Sequence, residues 1–332
     1  MMGLARKQAG LSLVELMVSV ALSLILTLGI IQIFSSSKQT GRVQNALARV
    51  QENARFALDL LSRDIRMADQ LGCNSNAFVT DSSNGQLATG AFSSGVFGYE
   101  YRNPMTVNLT NTNTTPDQDN VVNGTDVIVV MAASANGIPI TSSTGDNITV
   151  NTPSDLADGD PMLISDCDTA DLFTVGSHDD SSITASTTLS KDYSAGAEVA
   201  RLNYTAYYLR ENNGRRNLYR SYVNGVSDSP GVTTDPLLEG VEDLQVLYGE
   251  LQSNGKIRYV DSDPDNNPAT NDLDWSKVVS VRINLLMSTE EDNLASKPQQ
   301  YWFMDQLQTA TDRRLYRSFT TTIQLRNHGV GA

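Results

Sequence analysis

Cysteine, histidine and tryptophan are nearly missing from this chain, with two of each in 332 residues. Cys73 and Cys167 do not form a Cys-x-x-Cys pair, and His178 and His328 do not form His-Glu-x-x-His, so the common zinc frameworks are excluded. There is no Gly-x-Ser-x-Gly elbow and no Gly-rich Walker loop, which removes the best-marked nucleophile and the best-marked phosphate cradle. His178 stands beside Asp179 and Asp180, and His328 lies near the chain end, so both read as loop residues. Positive charge is scarce too. Lys and Arg total 24 against 38 Asp and Glu, a net charge of −14, which opposes nucleic-acid binding through the overall field. No catalytic constellation emerges, and energy for any mechanical work would have to come from a partner.

Charge is absent altogether from Leu16 to Phe34, a run of 19 residues. A helix that spans a bilayer needs roughly 20 apolar residues. Arg6 and Lys7 precede the run, and a basic flank stays on the cytoplasmic side. A secretory signal is cut after its apolar core, at small residues in an A-x-A-like pattern. Nothing of that kind with a composition break follows Phe34, and the helical pattern continues through Lys38 and Arg42. The cut is therefore expected before the core, with the apolar segment kept. Glu15 sits at the margin of this run, where a carboxylate is either a headgroup-level acid of little cost or a functional group. Cleavage after Gly10 would give Leu11 a new amine of unperturbed pKa about 7.7–8.0. Glu15, four positions on, would neutralise it in cis or on a neighbouring subunit, and at low dielectric such a pair is strongly coupled.

Beyond the membrane segment, Val43, Leu47, Val50, Ala54, Ala57, Leu61, Ile65 and Ala68 recur at spacings of three and four, one apolar stripe on a helix. The opposite face carries Arg42, Arg49, Glu52, Arg55, Asp59, Arg63 and Arg66, and Gly72 is the expected stop. Gly29 and Gly41 lower helix propensity and mark places for a bend or a melted turn. From Cys73 onward the period becomes two. Val279, Val281, Ile283 and Leu285 alternate with polar residues, as do Phe319, Thr321, Ile323 and Leu325. Further strands are expected at Asp126–Ala132, Pro161–Ser165, Leu172–Val175, Glu198–Leu209, Asn217–Val223 and Leu244–Leu251. Asn103–Asp126 and Thr141–Asp160 read as long polar loops or insertions. No fixed-period repeat occurs, and no linker divides this region.

Two cysteines in an exported body suggest one disulfide, Cys73 to Cys167, at the junction of helix and head; two separate buried thiols are the alternative. Asp261, Asp263, Asp265, Asn267 and Asp272 fall at positions 1, 3, 5, 7 and 12 of a calcium-loop template. Against Ca²⁺ stand Asn266 where Gly is normally needed, Pro264 inside the loop, and the short Asp272 in place of Glu. A solvated acidic hairpin loop is the simpler reading, and no cofactor is required.

Gly10 through Glu15, with the basic leader and the apolar run, resembles the class III signal of type IV prepilins. The resemblance implies cleavage between Gly10 and Leu11 by a prepilin peptidase that also methylates the new amine, with Glu15 registering an incoming subunit. Removing residues 1–10 with Arg6 and Lys7 would take the net charge to −16. Leu11 departs from the Phe usual in major pilins; minor pilins tolerate this, so the departure weakens only a reading as the major subunit. In the head, Ile164–Phe173, Leu238–Gly249 and Arg313–Phe319 on to Leu325-Arg326-Asn327 resemble the PilW-type minor pilins of type IV pili. The implied fold is α+β and type IV pilin-like. Residues 1–10 are the leader, 11–72 the long helix with about 11–34 in the membrane, and 73–332 a β-rich head with long polar loops. The implied role is assembly: an inner-membrane subunit with its head in the periplasm, passing into a priming complex at the pilus tip. Its partners would be other minor pilins, the major pilin, the peptidase and, indirectly, the assembly platform and its ATPase, with no direct nucleic acid. A large pseudopilin of type II secretion and a membrane-anchored adhesin or enzyme are the alternatives.

Overall fold

The computed structural model describes residues 12–70, 78–82, 95–101, 120–134, 136–151, 156–166, 168–224, 231–262 and 273–327. Gly10, Leu11, Gly72, Cys73, Cys167, Asp263, Asp265, Asn267, Asp272 and His328 lie outside the described residues, so the processing site, the disulfide and most of the calcium-loop candidate have no structural account.

One helix, α1 (Leu13–Met67), runs 55 residues, about 80 Å at 1.5 Å per residue. It is helical through Gly29 and Gly41, so neither glycine melts a turn here. Ser12 caps its start, and its end is abrupt. Ala68 donates its N–H to the Ile65 carbonyl at 3.2 Å, and Asp69 turns to φ 60°, the left-handed conformation that closes many helices.

The described strands are β1 (Phe78–Asp81), β2 (Val96–Glu100), β3 (Asp126–Ala133), β4 (Ile138–Thr144), β5 (Asn147–Val150), β6 (Pro161–Ser165), β7 (Thr169–His178), β8 (Ser182–Ala185), β9 (Glu198–Asn212), β10 (Arg215–Asn224), β11 (Gly231–Glu239), β12 (Val241–Leu251), β13 (Ile257–Val260), β14 (Val278–Ser288), β15 (Gln300–Phe303), β16 (Gln306–Thr309) and β17 (Tyr316–Gln324). An 11-stranded sheet uses the long β9 as its spine: β4, β6 and β3 pair along it, and β10 followed by β11 continues from it. Pairing is antiparallel except between β1 and β7. A four-stranded antiparallel sheet runs β13-β12-β14-β17, and β15 with β16 forms a separate hairpin.

The strand β3 reads Asp-Val-Ile-Val-Val-Met-Ala-Ala, a nearly continuous apolar run, because both its faces are covered. Ile128 and Val130 face the core that receives α1, while Val127, Val129 and Met131 face a second core with Leu163, Leu172, Leu202 and Tyr204. A third core gathers Ile140, Ile148, Val150, Phe173, Val175 and Ile183.

Two expectations are corrected. Thr141–Asp160 is not one polar loop: β4 and β5 form a hairpin with Gly145 at φ 65° in its turn, and Ile140, Ile148 and Val150 are buried beneath the Ser and Thr residues that dominate the composition. In β14, Val281, Ile283 and Leu285 do share the core face, but Val278 takes the place expected of Val279. The register against β12 shifts between Gly249 and Glu250, which pair with Ser280 and Val278, so Val279 is the extra residue of a bulge and lies half-buried.

Candidate functional site

The first half of α1 is bare. Every residue from Ser12 to Lys38 is exposed, including all the apolar side chains of the uncharged run. Water does not tolerate a contiguous apolar surface of this extent, so lipid or other apolar helices must cover it. The three hydroxyl side chains of that run are satisfied by the helix itself. The hydroxyls of Ser19, Ser23 and Thr27 donate back to the carbonyls of Leu16, Val20 and Ser23 at 2.9, 2.9 and 2.7 Å.

Glu15 is placed by its local sequence. Ser12 is the N-cap and its Oγ accepts the Glu15 N–H at 3.2 Å, so Ser12-Leu13-Val14-Glu15 follows the pattern of a capping box. An acid in the first turn also complements the helix dipole. This second role for Glu15 was readable from the Ser-x-x-Glu spacing alone. The carboxylate remains exposed and available to a second charge.

The second half of α1 is seated in the head. Val50, Ala54, Ala57, Leu61, Ile65 and Ala68 are all buried, while Val43 and Leu47, nearer the bare half, are only half-covered. The seat is built by both large sheets: Val246, Val281, Ile283, Leu285 and Ile323 from the four-stranded sheet, and Ile128, Val130, Tyr207 and Leu209 from the other. Alanine at 54 and 57 keeps the helix close to the strands beneath it. At the far end, Tyr207 donates its hydroxyl to Asp64, Asn327 Nδ2 donates to the Ala68 carbonyl at 3.1 Å, and the Asp69 N–H bonds to the Met131 carbonyl at 3.1 Å. Burial and the Asp64 charge raise the Tyr207 phenol above its usual pKa, so it stays a donor.

A clip marks where support begins. The loop after β14 returns to α1: Gln39 Nε2 donates to the Leu294 carbonyl at 3.0 Å, Arg42 pairs with Glu291 at 2.9 Å, and Arg49 lies 3.7 Å from Glu290. The loop is shaped by Asp292, whose Oδ1 accepts the Asn293 and Arg313 N–H groups at 2.6 and 3.0 Å; these bonds hold its carboxyl below the usual range. Because Arg42 and Glu291 are both about half exposed, their pair is worth under about 1 kcal/mol. Replacing Glu291 with Gln should therefore leave the melting temperature nearly unchanged while amide exchange across residues 39–49 quickens; unchanged exchange would show that the clip does not hold the helix.

Buried carboxylates are structural. Asp126 accepts the Val246 N–H at 2.6 Å and so ties β3 to β12; burial, against the pull of that hydrogen bond, pushes its pKa up to about 8. Asp160 accepts from Ala157 N and Arg201 Nη2, both at 3.0 Å, and Asp171 Oδ2 accepts from Ser190 N, Ser190 Oγ and Tyr193 Oη at 2.9, 2.8 and 3.1 Å. His178 Nδ1 lies 3.3 Å from Asp158, at the surface. Among the described residues no three His, Cys, Asp or Glu side chains are grouped to hold a metal ion, and Asp261 closes β13 without its template partners being described.

The same two regions stand out in comparison with known proteins. Residues 5–31 match the prokaryotic N-terminal methylation motif, and residues 206–327 match the family model described as type IV pilus-assembly protein W. No curated protein matches the chain. The first match runs into the bare apolar helix; the second takes in the last part of β9, from Ala206, all of β10 through β17 and hence the four-stranded sheet on which the helix is seated. A processing motif on an uncovered apolar helix, joined to a head whose helix-bearing sheet matches pilus-assembly protein W, supports the reading of this chain as a PilW-type minor pilin of type IV pili.

Proposed function

We propose that the chain is a low-abundance subunit of a priming complex that starts pilus growth from the inner membrane and ends at the pilus tip. The observation that supports this reading is the division of α1: residues 50–68 are locked into the head, while residues 12–38 are left wholly uncovered. Such a subunit is held in the membrane by its apolar half, with the head in the periplasm. It can pass into a bundle of like helices without repacking its head. Gly10 is the residue the peptidase recognises, Leu11 carries the methylated amine, and Glu15 meets a neighbour's amine as the helix leaves lipid, where an unpaired carboxylate is costly. Its work is assembly without turnover of a substrate. Pilus-dependent twitching and adhesion then depend on it through the fibre it starts.

The test is the intact mass and N-terminal sequence of the chain from membranes of cells with and without their prepilin peptidase. Peptidase-dependent loss of residues 1–10, leaving methylated Leu11, is the expected result. An uncleaved chain, or one cut after Phe34, would end the assembly reading. Loss of pili on deletion, with protein export intact, separates the pilus from a type II secretion system.

A further inference from the structure

The four-stranded sheet ends on β17, whose only strand partner among the described residues is β14. The register between them is unbroken, and Leu325 N donates to the Val279 carbonyl at 3.0 Å, which fixes the phase of the ladder. By the alternation of antiparallel pairing, the backbone N–H and C=O groups of Ser318, Thr320, Thr322 and Gln324 point away from β14. They form an open edge roughly 20 Å long at about 3.4 Å per residue. An open edge of this length is a template for another strand.

Beside this edge, between β17 and the outer side of α1, lies a groove of about 650 Å³. Its rim carries Arg55, Arg63, Arg66 and Arg326 against a single acid, Asp59, and its floor is Leu58, Met67 and Phe319. Arg55 and Arg63 are more than four-fifths exposed and make only loose contacts, 3.8 Å, to Asp59 and Asp64; Arg66 and Arg326 have no ion pair among the described residues. Among the described residues, a chain of net charge −14 thus concentrates an excess of positive charge, four arginines against Asp59 and Asp64, at one open strand edge.

We propose that β17 accepts an acidic extended segment from a different pilin-type subunit, paired through the open backbone edge with its carboxylates on the four arginines. The identity of the donor rests on the pilin reading; the edge and its charge do not. Lipid headgroups are too far away: Arg55 lies 21 residues beyond Phe34, about 30 Å along the helix, several times the screening length of about 8 Å at physiological salt. A nucleic acid would meet the net negative field and would leave the strand edge and the apolar floor unused.

The test is photo-crosslinking of the full chain in its native cells, with a benzophenone side chain at Thr320 or, as a separate report on the apolar helix, at Leu24. The expected result is a Thr320 adduct that maps by mass spectrometry to an acidic segment of another chain bearing a prepilin signal. The double substitution Arg63→Glu/Arg66→Glu should lower its yield about tenfold, a loss worth about 1.4 kcal/mol, while the Leu24 adducts persist. Thr322→Pro, which deletes one outward N–H at an edge where proline is tolerated, should lower it as well. Adducts at Thr320 confined to a second copy of this chain, to lipid or to nucleic acid overturn the proposal, as does a yield unmoved by charge reversal, or no Thr320 adduct while Leu24 still finds pilin subunits. Failure at Leu24 itself would instead count against the pilin reading.

Discussion

Replacing Asp126 with Asn should abolish a loss of head stability that the natural chain suffers as pH rises from about 4 to about 8. The carboxyl is buried between β3 and β12, and its pKa is pushed up to about 8 because removal from water disfavours the charged form; the nearby Asp261, Glu100 and Asp243 carboxylates add to the shift, and the Val246 N–H opposes it. In the unfolded chain the same group ionises near 3.8. Between these two values the folded state holds a proton that the unfolded state has released. Stability from this group is therefore complete below about pH 4 and is lost as pH climbs through about 8. At 1.36 kcal/mol per unit the change is on the order of 5 kcal/mol across that window. Asparagine keeps an oxygen for the Val246 N–H and cannot ionise, so the variant should match the natural chain near pH 4 and exceed it by several kcal/mol at pH 8. Urea midpoints of the full chain in detergent, taken as a difference between variant and natural protein at each pH, cancel the titrations of other groups. Among those, Asp243 and Asp160 are also raised by burial, while Asp274 and Asp292 are lowered by hydrogen bonds and act in the opposite sense. A flat difference profile would sink the assignment.

That carboxylate was invisible in the sequence because its cost comes from two sheets closing over it, and residues 126 and 246 are far apart along the chain. What could be read was local and periodic. The stripe from Val50 to Ala68 named the buried face of α1, since a helix repeats every 3.6 residues whatever it packs against. Alternation likewise named Ile323 and Leu325 as core residues. Reading failed where composition hid a pattern or where tertiary pairing altered one. The hairpin of β4 and β5 hides its Ile and Val residues among Ser and Thr, and the Val279 bulge is imposed by the partner strand. At the candidate site, the apolar run and Glu15 were legible because membrane and processing chemistry act on contiguous sequence. The clip from Glu290 and Glu291 to Arg49 and Arg42, the Tyr207–Asp64 hydrogen bond and the open edge of β17 were not, because each joins segments more than a hundred residues apart or depends on strand order.

Substituting Gly95 with Ala should detach the far end of the helix from the head. Gly95 precedes β2 at φ 66°, and a Cβ placed there would collide with the backbone nitrogen of Asp69 and lie 2.6 Å from its Cα. Both contacts are with main chain, so no side-chain rotation relieves them. Asp69 cannot withdraw freely either: its N–H is bonded to the Met131 carbonyl, Ala133 donates to the Gln70 carbonyl at 2.8 Å, and Met131 in turn donates to the Gly95 carbonyl at 2.8 Å. Relief requires breaking this knot and shifting Ala68 and Ile65 in their fully buried seat. A left-handed non-glycine residue costs about 1–3 kcal/mol, and overpacking commonly another 1–3 kcal/mol, so a loss of about 3–5 kcal/mol is expected. Hydrogen exchange should show it first across residues 61–70, where α1 meets the large sheet, with protection of the β14–β17 ladder retained at low denaturant. An Ala variant that melts with the natural protein and keeps its protection at residues 61–70 would mean that the helix end is not held at Gly95. Loss confined to that end would explain how two sheets and one helix act as a rigid head: the helix is fastened at both extremes of its seat, by the Glu290 and Glu291 clip where it leaves the head and by the Gly95–Asp69 contact where its chain turns into it.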